Sequence, residues 1–283
     1  MYCTDFIFNN RFASDFGYMI CSFNNGGDDV VSGGEVTFTV TKPPSNNKWT
    51  FHGSTHESQL VIQFSIAKND CESSNNDYAL SQEEQSAIMR WLQKYDGFKW
   101  MAFDQDGFED VWYNVQINPQ PHYVAGVVIG FDLTCTCDSP YGYSPEKEIK
   151  KTLDRYSTDN RYSPVFIDYS DKEGEIHPHT IIKAKGNGEL KLRSGVCNVN
   201  SSRNFESYMY SKDLSIKNIT SGTTITLDED YGLVTGFNDL TNFNFVFPFV
   251  GNNDESNYNI IENLSDFEVD IYMKYRMIRR VYV

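Results

Sequence analysis

The sequence predicts a mainly β protein in two domains, with a single helix in the first. Three observations carry that prediction. Apolar and polar residues alternate through most of the chain, which is the period of half-buried strands. One stretch, LSQEEQSAIMRWLQKYDG, switches to helical period, with Ile88, Trp91, Leu92 and Tyr95 at i, i+3, i+4 and i+7. Finally, 283 residues at 40% hydrophobic and 15% aromatic content are long for one core and comfortable for two.

The N-terminal domain, residues 1–143, reads as an antiparallel β domain with the helix packed on it and a β-hairpin. In EVTFTVT, Val36, Phe38 and Val40 face one way and Thr37, Thr39 and Thr41 the other, so a half-buried strand is expected. Pro43-Pro44-Ser45-Asn46-Asn47 ends it. QLVIQFSIA puts Leu60, Ile62, Phe64 and Ile66 on one face. The helix begins with a capping box, Ser81 and Glu84, and Gly97 is suited to the left-handed turn that stops it. Residues 100–103 make a strand, Asp104-Gln105-Asp106-Gly107 a hairpin turn, and residues 111–117 the next strand. A loop carrying Asn118-Pro119-Gln120-Pro121 then leads to GVVIGFDLTCTC, where Val127, Ile129, Phe131, Leu133, Cys135 and Cys137 share a face.

Residues 144–163 read as a linker. Ser144-Pro145 is a good helix start, Ile149, Leu153 and Tyr156 form a thin stripe, and Glu146 can pair with Lys150, so a short connecting helix is expected. Residues 164–283 then give short strands separated by Gly and Asn turns: PVFIDYS, HTIIKAK, GELKLRS, LSIKNIT, TTITLDE and FNFVFPF. In the last strand Phe267, Val269, Ile271, Met273, Tyr275 and Met277 alternate with charged neighbours. That spacing predicts a β-sandwich or jelly roll.

With 39 acidic against 24 basic residues the net charge is −15, which argues against nucleic-acid binding as the main activity and against docking on anionic membranes. The opening MYCTDFIFNN has neither basic flank nor apolar run, and no segment has the apolar length of a membrane span, so folding in a cytoplasm is expected. The cysteines suit that compartment. Cys135 and Cys137 extend an apolar strand face, and no second Cys/His cluster at zinc spacing accompanies them.

Candidate chemistry is sparse. Asp104-Gln105-Asp106-Gly107 lacks the spacing of a calcium loop. Asp228-Glu229-Asp230 could supply paired carboxylates but reads better as a solvated strand end. His177-Pro178-His179 has no evident third ligand, and Gly26-Gly27 and Gly33-Gly34 lack the strand–glycine–helix setting of a phosphate cradle. No catalytic, cofactor or metal residue is assigned, and the composition and motifs point to a binding or structural protein rather than an enzyme.

Several stretches, in order and spacing, resemble the distal tail proteins of long-tailed siphophages, the phage tail-component family. They are FIFNNRFASDFGYMICSF with Asp15-Phe16-Gly17, Arg90-Trp91-Leu92 followed by residues 100–103, and residues 131–143 with Cys137, Pro140 and Tyr143. In the C-terminal half they are residues 176–194, 214–228, 245–251 and 257–260. The loop 251–257 is longer and more polar than that pattern, and the linker 144–163 is more charged.

The resemblance implies a non-enzymatic hub at the virion tail tip, made in the bacterial host cytoplasm. Its N-terminal domains would form a homo-hexameric ring, or a dodecamer of two rings in isolation. The partners implied are the tail tube protein, a tail-tip or tail-associated protein and a receptor-binding protein, with no cofactor, no specific nucleic-acid binding and no membrane insertion. The second domain would be a galectin-like sandwich. An acidic inner ring surface would let DNA slide past. The alternative class is a carbohydrate-binding β-sandwich acting in host-surface attachment. Sugar sites favour exposed aromatic platforms. All four tryptophans, Trp49, Trp91, Trp100 and Trp112, lie in the first domain, which leaves Tyr208, Tyr210, Tyr231 and Tyr258 as candidates in the second.

Overall fold

The computed structural model describes residues 5–23, 30–32, 35–44, 47–56, 58–68, 78–106, 110–155, 165–166, 170–171, 175–199, 205–228, 232–237, 239–251 and 257–279. The chain divides between Tyr143 and Ser144 into two units, each with its own hydrophobic core. It is mainly β, as the alternation predicts, with one α-helix among the described residues.

In the first unit the strands are β1 (Asp5–Phe8), β2 (Arg11–Phe12), β3 (Tyr18–Cys21), β4 (Val30–Ser32), β5 (Val36–Thr41), β6 (Thr50–His56), β7 (Val61–Lys68), β8 (Lys99–Asp104), β9 (Trp112–Val124), β10 (Val127–Cys137) and β11 (Gly142–Tyr143). The main sheet runs β2-β1-β8-β9-β10-β7-β3, all antiparallel, with β4 also on β7. Three strand spacings of about 4.8 Å separate β8 from β7 in a flat sheet. Yet Phe64 of β7 meets Phe103 of β8 at 5.3 Å and Phe6 of β1 at 5.1 Å between ring centroids. The sheet therefore curls back on itself and closes a core over its concave face.

Helix α1 (Gln82–Leu92) covers that core. Both halves of the predicted capping box form: Ser81 Oγ accepts from the Glu84 amide, and the Glu84 carboxylate accepts from the Ser81 amide at 2.8 Å. Trp91 anchors the helix. Its ring stacks on Phe6 and on Phe16, at 5.6 and 4.6 Å, and its indole N–H donates to the Phe8 carbonyl. Phe16 reaches it from a 3-10 turn, Ser14–Phe16, which Gly17 ends with φ of 76°. The helix stops earlier than its period suggests. Gln93 is the extended cap residue, and Tyr95, expected on the apolar stripe, lies beyond the helix and is 91% exposed. Lys94 instead bonds the Arg90 carbonyl with its ammonium and satisfies one of the terminal acceptors.

Two further expectations for this unit are corrected. The Pro119–Pro121 segment is not a loop, because β9 runs straight through it, with Pro119 opposite Leu133 and Pro121 opposite Phe131. Pairing with β8 ends at Val115, so the far side of β9 is an edge there. The two prolines, two residues apart, both turn their missing donors to that edge. In addition, β5 forms but is not half-buried. It pairs only with β6, as a two-stranded hairpin exposed on both faces.

The second unit holds β12 (Lys147–Leu153), β13 (Val165–Phe166), β14 (Glu175–Ile176), β15 (His179–Ala184), β16 (Gly188–Val199), β17 (Phe205–Ile219), β18 (Thr224–Asp228), β19 (Leu233–Thr235), β20 (Val250–Gly251), β21 (Asn257–Asn263) and β22 (Val269–Tyr275). One sheet runs β12-β22-β15-β18-β19 and the other β13-β21-β16-β17. Leu153, Ile182, Ile225, Val269, Ile271 and Met273 from the first meet Leu190, Leu192, Leu214, Ile216 and Ile261 from the second in one core, which makes a β-sandwich.

The connecting helix expected over residues 144–163 is not there, because residues 147–153 are strand β12, paired along β22. Ile149 and Leu153 are four apart, a spacing that shares one face in a helix and in a strand alike. The helix pairing Glu146–Lys150 gives way to a cross-strand pair, Glu146 with Lys274, and to a pair within β12, Lys150 with Glu148. The Tyr156 end of that stripe lies outside the described residues. FNFVFPF is not a strand either. Phe243 bridges to Ile216, and Phe245 has φ of 55°, which breaks extended structure. Strand β21 is not marked by alternation, because its residues 259–263 are buried on both faces.

Candidate functional site

Every candidate raised by the sequence can be placed or falls outside the described residues. Cys135 and Cys137 lie fully buried on the core face of β10. Burial, reinforced by the neighbouring Asp138 charge, pushes the Cys137 thiol up to about 12, and burial also raises Cys135 well above the ordinary thiol range. Neither is a thiolate at neutral pH, and among the described residues no three ligand-type side chains cluster as a metal site. Residues 107–109 of the β8–β9 turn, Glu229, Asp230, Tyr231, Gly26, Gly27, Gly33 and Gly34 lie outside the described residues.

The fold brings together pairs that the sequence does not connect. His179 Nδ1 lies 3.2 Å from Asp228 Oδ2, joining the two polar motifs across β15 and β18. His177 sits 3.5 Å from Glu175 instead. In the first unit Asp132 lies between Ser65 and His122, at 2.6 and 3.0 Å. The residue types are those of a hydrolase triad, but the order is wrong. Ser65 donates to the carboxylate and not to the imidazole, so no base activates it, and Phe23 stacks on the imidazole at 3.9 Å. This arrangement joins β7, β9 and β10 through their side chains.

The surfaces suited to recognition are apolar or aromatic. On the β5–β6 hairpin, Phe38 is 63% and Phe51 61% exposed, their rings 6.2 Å apart, with Val36 and Val40 alongside and Trp49 at 65% just before β6. Thr41 and His52, bonded at 2.6 Å, also join the two strands by their side chains. On the outer face of the five-stranded sheet, Lys150, Thr152, Ile181, Lys183, Asp270 and Tyr272 line a shallow depression of about 440 Å³. Tyr272 is held there by its hydroxyl on Glu148 and by the ammoniums of Lys150 and Lys274, 4.7 and 5.6 Å from its ring.

The tyrosines singled out in the sequence fare differently. Tyr208 lies over Gly195 and donates to the buried Glu262 at 2.8 Å. Tyr210 stacks on Phe249, and Tyr258 is half-buried. Tyr272, outside that set, lines the depression on the five-stranded sheet. It escaped notice because it is just one of the outward residues in the alternation of β22.

The stretches marked by the resemblance are also in contact. Phe16 of the Asp-Phe-Gly turn meets Trp91 of the helix, and Trp100 meets Tyr143 edge-on at 5.5 Å. The Tyr143 hydroxyl donates to Asp138, whose other oxygen accepts from Asn114. Residues 1–139 match the family described as phage tail protein N-terminal domain, and residues 141–275 match the phage tail C-terminal domain. The chain belongs to this family of phage tail proteins.

The fold of the tail protein is that of a distal tail protein. It matches the crystal structure of the Dit protein of phage SPP1 with a TM-score of 0.56 at 9% identity, over 96% of this chain and 98% of that one. A chain of the phage P2 baseplate in its activated conformation gives a TM-score of 0.44 at 12% identity, over 99% of both chains. No curated protein matches the sequence.

Proposed function

We propose that the tail protein is a non-enzymatic structural hub of the tail tip. Six copies close into a ring through the N-terminal domain, residues 1–143, and join the tail tube to the tip or baseplate and its receptor-binding protein. The second domain, a galectin-like sandwich over residues 164–283 with β12 added from the connecting segment, is the part that meets attachment proteins. The SPP1 relative in fold is described as a paradigm of a hub adsorption apparatus, which fits this reading.

The β5–β6 hairpin carries the proposal. Two strands alone are marginal in water, and this pair keeps a row of apolar side chains there as well. Coverage by a neighbouring copy accounts for both, and in a closed ring every copy both gives and receives a hairpin. Light scattering across concentration, with negative-stain imaging, tests it. Six-fold or back-to-back twelve-fold rings with a central hole are expected; a monomer that stays so in the presence of tube protein refutes it.

One observation favours a second reading, glycan binding by the second domain. The fixed ring of Tyr272, with Lys150, Thr152, Lys183 and Asp270 around it, combines an aromatic surface with polar groups that orient a sugar. A glycan array on the full chain, repeated with Tyr272→Ala, checks this. Signal lost in the variant supports it, and silence of the unmutated chain removes it.

A further inference from the structure

The end of α1 and the turn between β1 and β2 enclose a notch of about 390 Å³, lined by Asn9, Arg11, Phe16, Arg90, Trp91 and Lys94. Its floor is the Phe16–Trp91 stack. Its rim carries three cations in a chain of net charge −15, and no carboxylate lines it. None of the three forms an ion pair with a described residue. The Arg11 guanidinium lies 5.7 Å over the Phe16 ring, Arg90 Nε donates to the Ser86 carbonyl, and Lys94 donates to the Arg90 carbonyl. Asp96, close by in sequence, is bonded to Lys99 at 2.9 Å. The helix dipole explains Arg90 and Lys94 near a C-terminus, but it does not explain Arg11, which comes from another element.

The complementary charge sits at the far end of the same strands. In the antiparallel β1–β8 pair, Phe8 faces Met101 and Asp5 faces Asp104. The notch lies at the Phe8 end and the turn following β8 at the Asp5 end. Asp106 and Asp110 are exposed in that turn and make no ion pair with a described residue. Two different, complementary patches at opposite ends of one strand pair suit a heterologous, head-to-tail contact, and such contacts generate rings when the rotation between copies closes.

We infer that the Arg11–Arg90–Lys94 notch of one copy receives the Asp106 and Asp110 carboxylates of the next, so that this ion-pair contact sets the register of the ring. The inference rests on the ring reading. Tyr95, adjacent to Lys94 in sequence and almost wholly exposed, adds apolar area to the same contact.

Charge reversal in the full-length protein tests it. Arg90→Glu with Lys94→Glu, and separately Asp106→Lys with Asp110→Lys, should each raise the concentration for half-assembly by about tenfold or more. The quadruple variant, which restores opposite charges at positions 90 and 94 while Arg11 stays positive, should return part of the way towards the unmutated value. Far-ultraviolet circular dichroism and thermal melting show whether each variant folds. The unmutated protein provides a check free of folding effects: its half-assembly concentration should rise between about 0.05 and 0.5 M NaCl as the pairs are screened. Reversals that leave assembly unchanged, a quadruple variant that recovers nothing, or indifference to salt each overturn the notch contact while rings still form. An unmutated protein that never assembles refutes the ring and the notch together.

Discussion

Replacing Phe38 and Phe51 by serine should weaken assembly at least tenfold while leaving each copy as stable as before. With 63% and 61% of these side chains in water, neither contributes to its own unit's core. Taking about 200 Å² for the side chain, each ring has about 120 Å² to lose on being covered. At about 25 cal/mol per Å² that is about 3 kcal/mol per ring. Association keeps only part of such a gain, since ordering and lost rotational freedom oppose it. A shift of at least tenfold in the half-assembly concentration, about 1.4 kcal/mol, is therefore expected. Sedimentation velocity over a range of concentrations reads the shift, and differential scanning calorimetry reads the stability of the separate copies. Two outcomes would refute the reasoning. Unchanged assembly would mean the rings meet nothing, and a melting point lowered by several degrees in unassembled protein would mean they pack in their own unit.

Three further predictions concern stability. Asn263 donates to the carbonyls of Leu153, Asp154 and Phe267 and accepts from the Ser265 amide, so Asn263→Leu should destabilise the second unit by about 2 kcal/mol or more, read as a lower urea midpoint. Ala125, in the β9–β10 turn, has φ of 50°, so Ala125→Gly should stabilise the first unit by up to about 1 kcal/mol despite removing a methyl group. Glu84 bonds Lys68 and the Ser81 amide, and those contacts hold its carboxyl at about 2 against an ordinary 4.5. A depressed carboxyl stabilises the fold fully above pH 4.5, and that contribution fades as pH falls towards 2. Because 38% of the side chain is exposed, about 1 kcal/mol is expected. The stability gap between the unmutated protein and Glu84→Gln should therefore close over that range, and a constant gap would rule the account out.

Much of the fold is legible in local pattern because local chemistry decides it. The Ser81–Glu84 box starts the helix where the residues say it should, and Gly17 ends the Asp-Phe-Gly turn. Alternation in QLVIQFSIA and in residues 267–277 names the side chains that become buried. Where the pattern misleads, an ambiguity of period is the cause. Ile149 and Leu153 fit either geometry, and only pairing with β22 selects the strand. In β21, buried polar residues break the pattern, with Asn259 bonding both the N–H and the carbonyl of Gly251 and Glu262 accepting from Tyr208.

The candidate surfaces were less legible. Val36, Phe38 and Val40 announce an apolar strand face, yet nothing local says that no part of the described chain covers it. The notch joins Arg11 to Arg90 and Lys94 across some eighty residues, and the depression around Tyr272 joins β12 to β22. By itself, then, the sequence determined which residues share a face, where the helix begins and that the chain is mainly β, because periodicity and capping are properties of neighbours. What each face meets was decided by tertiary structure alone: core for β7, water for β5, a basic notch at the end of α1. Those contacts form between residues far apart in the chain, and their energy exists only once the strands have paired.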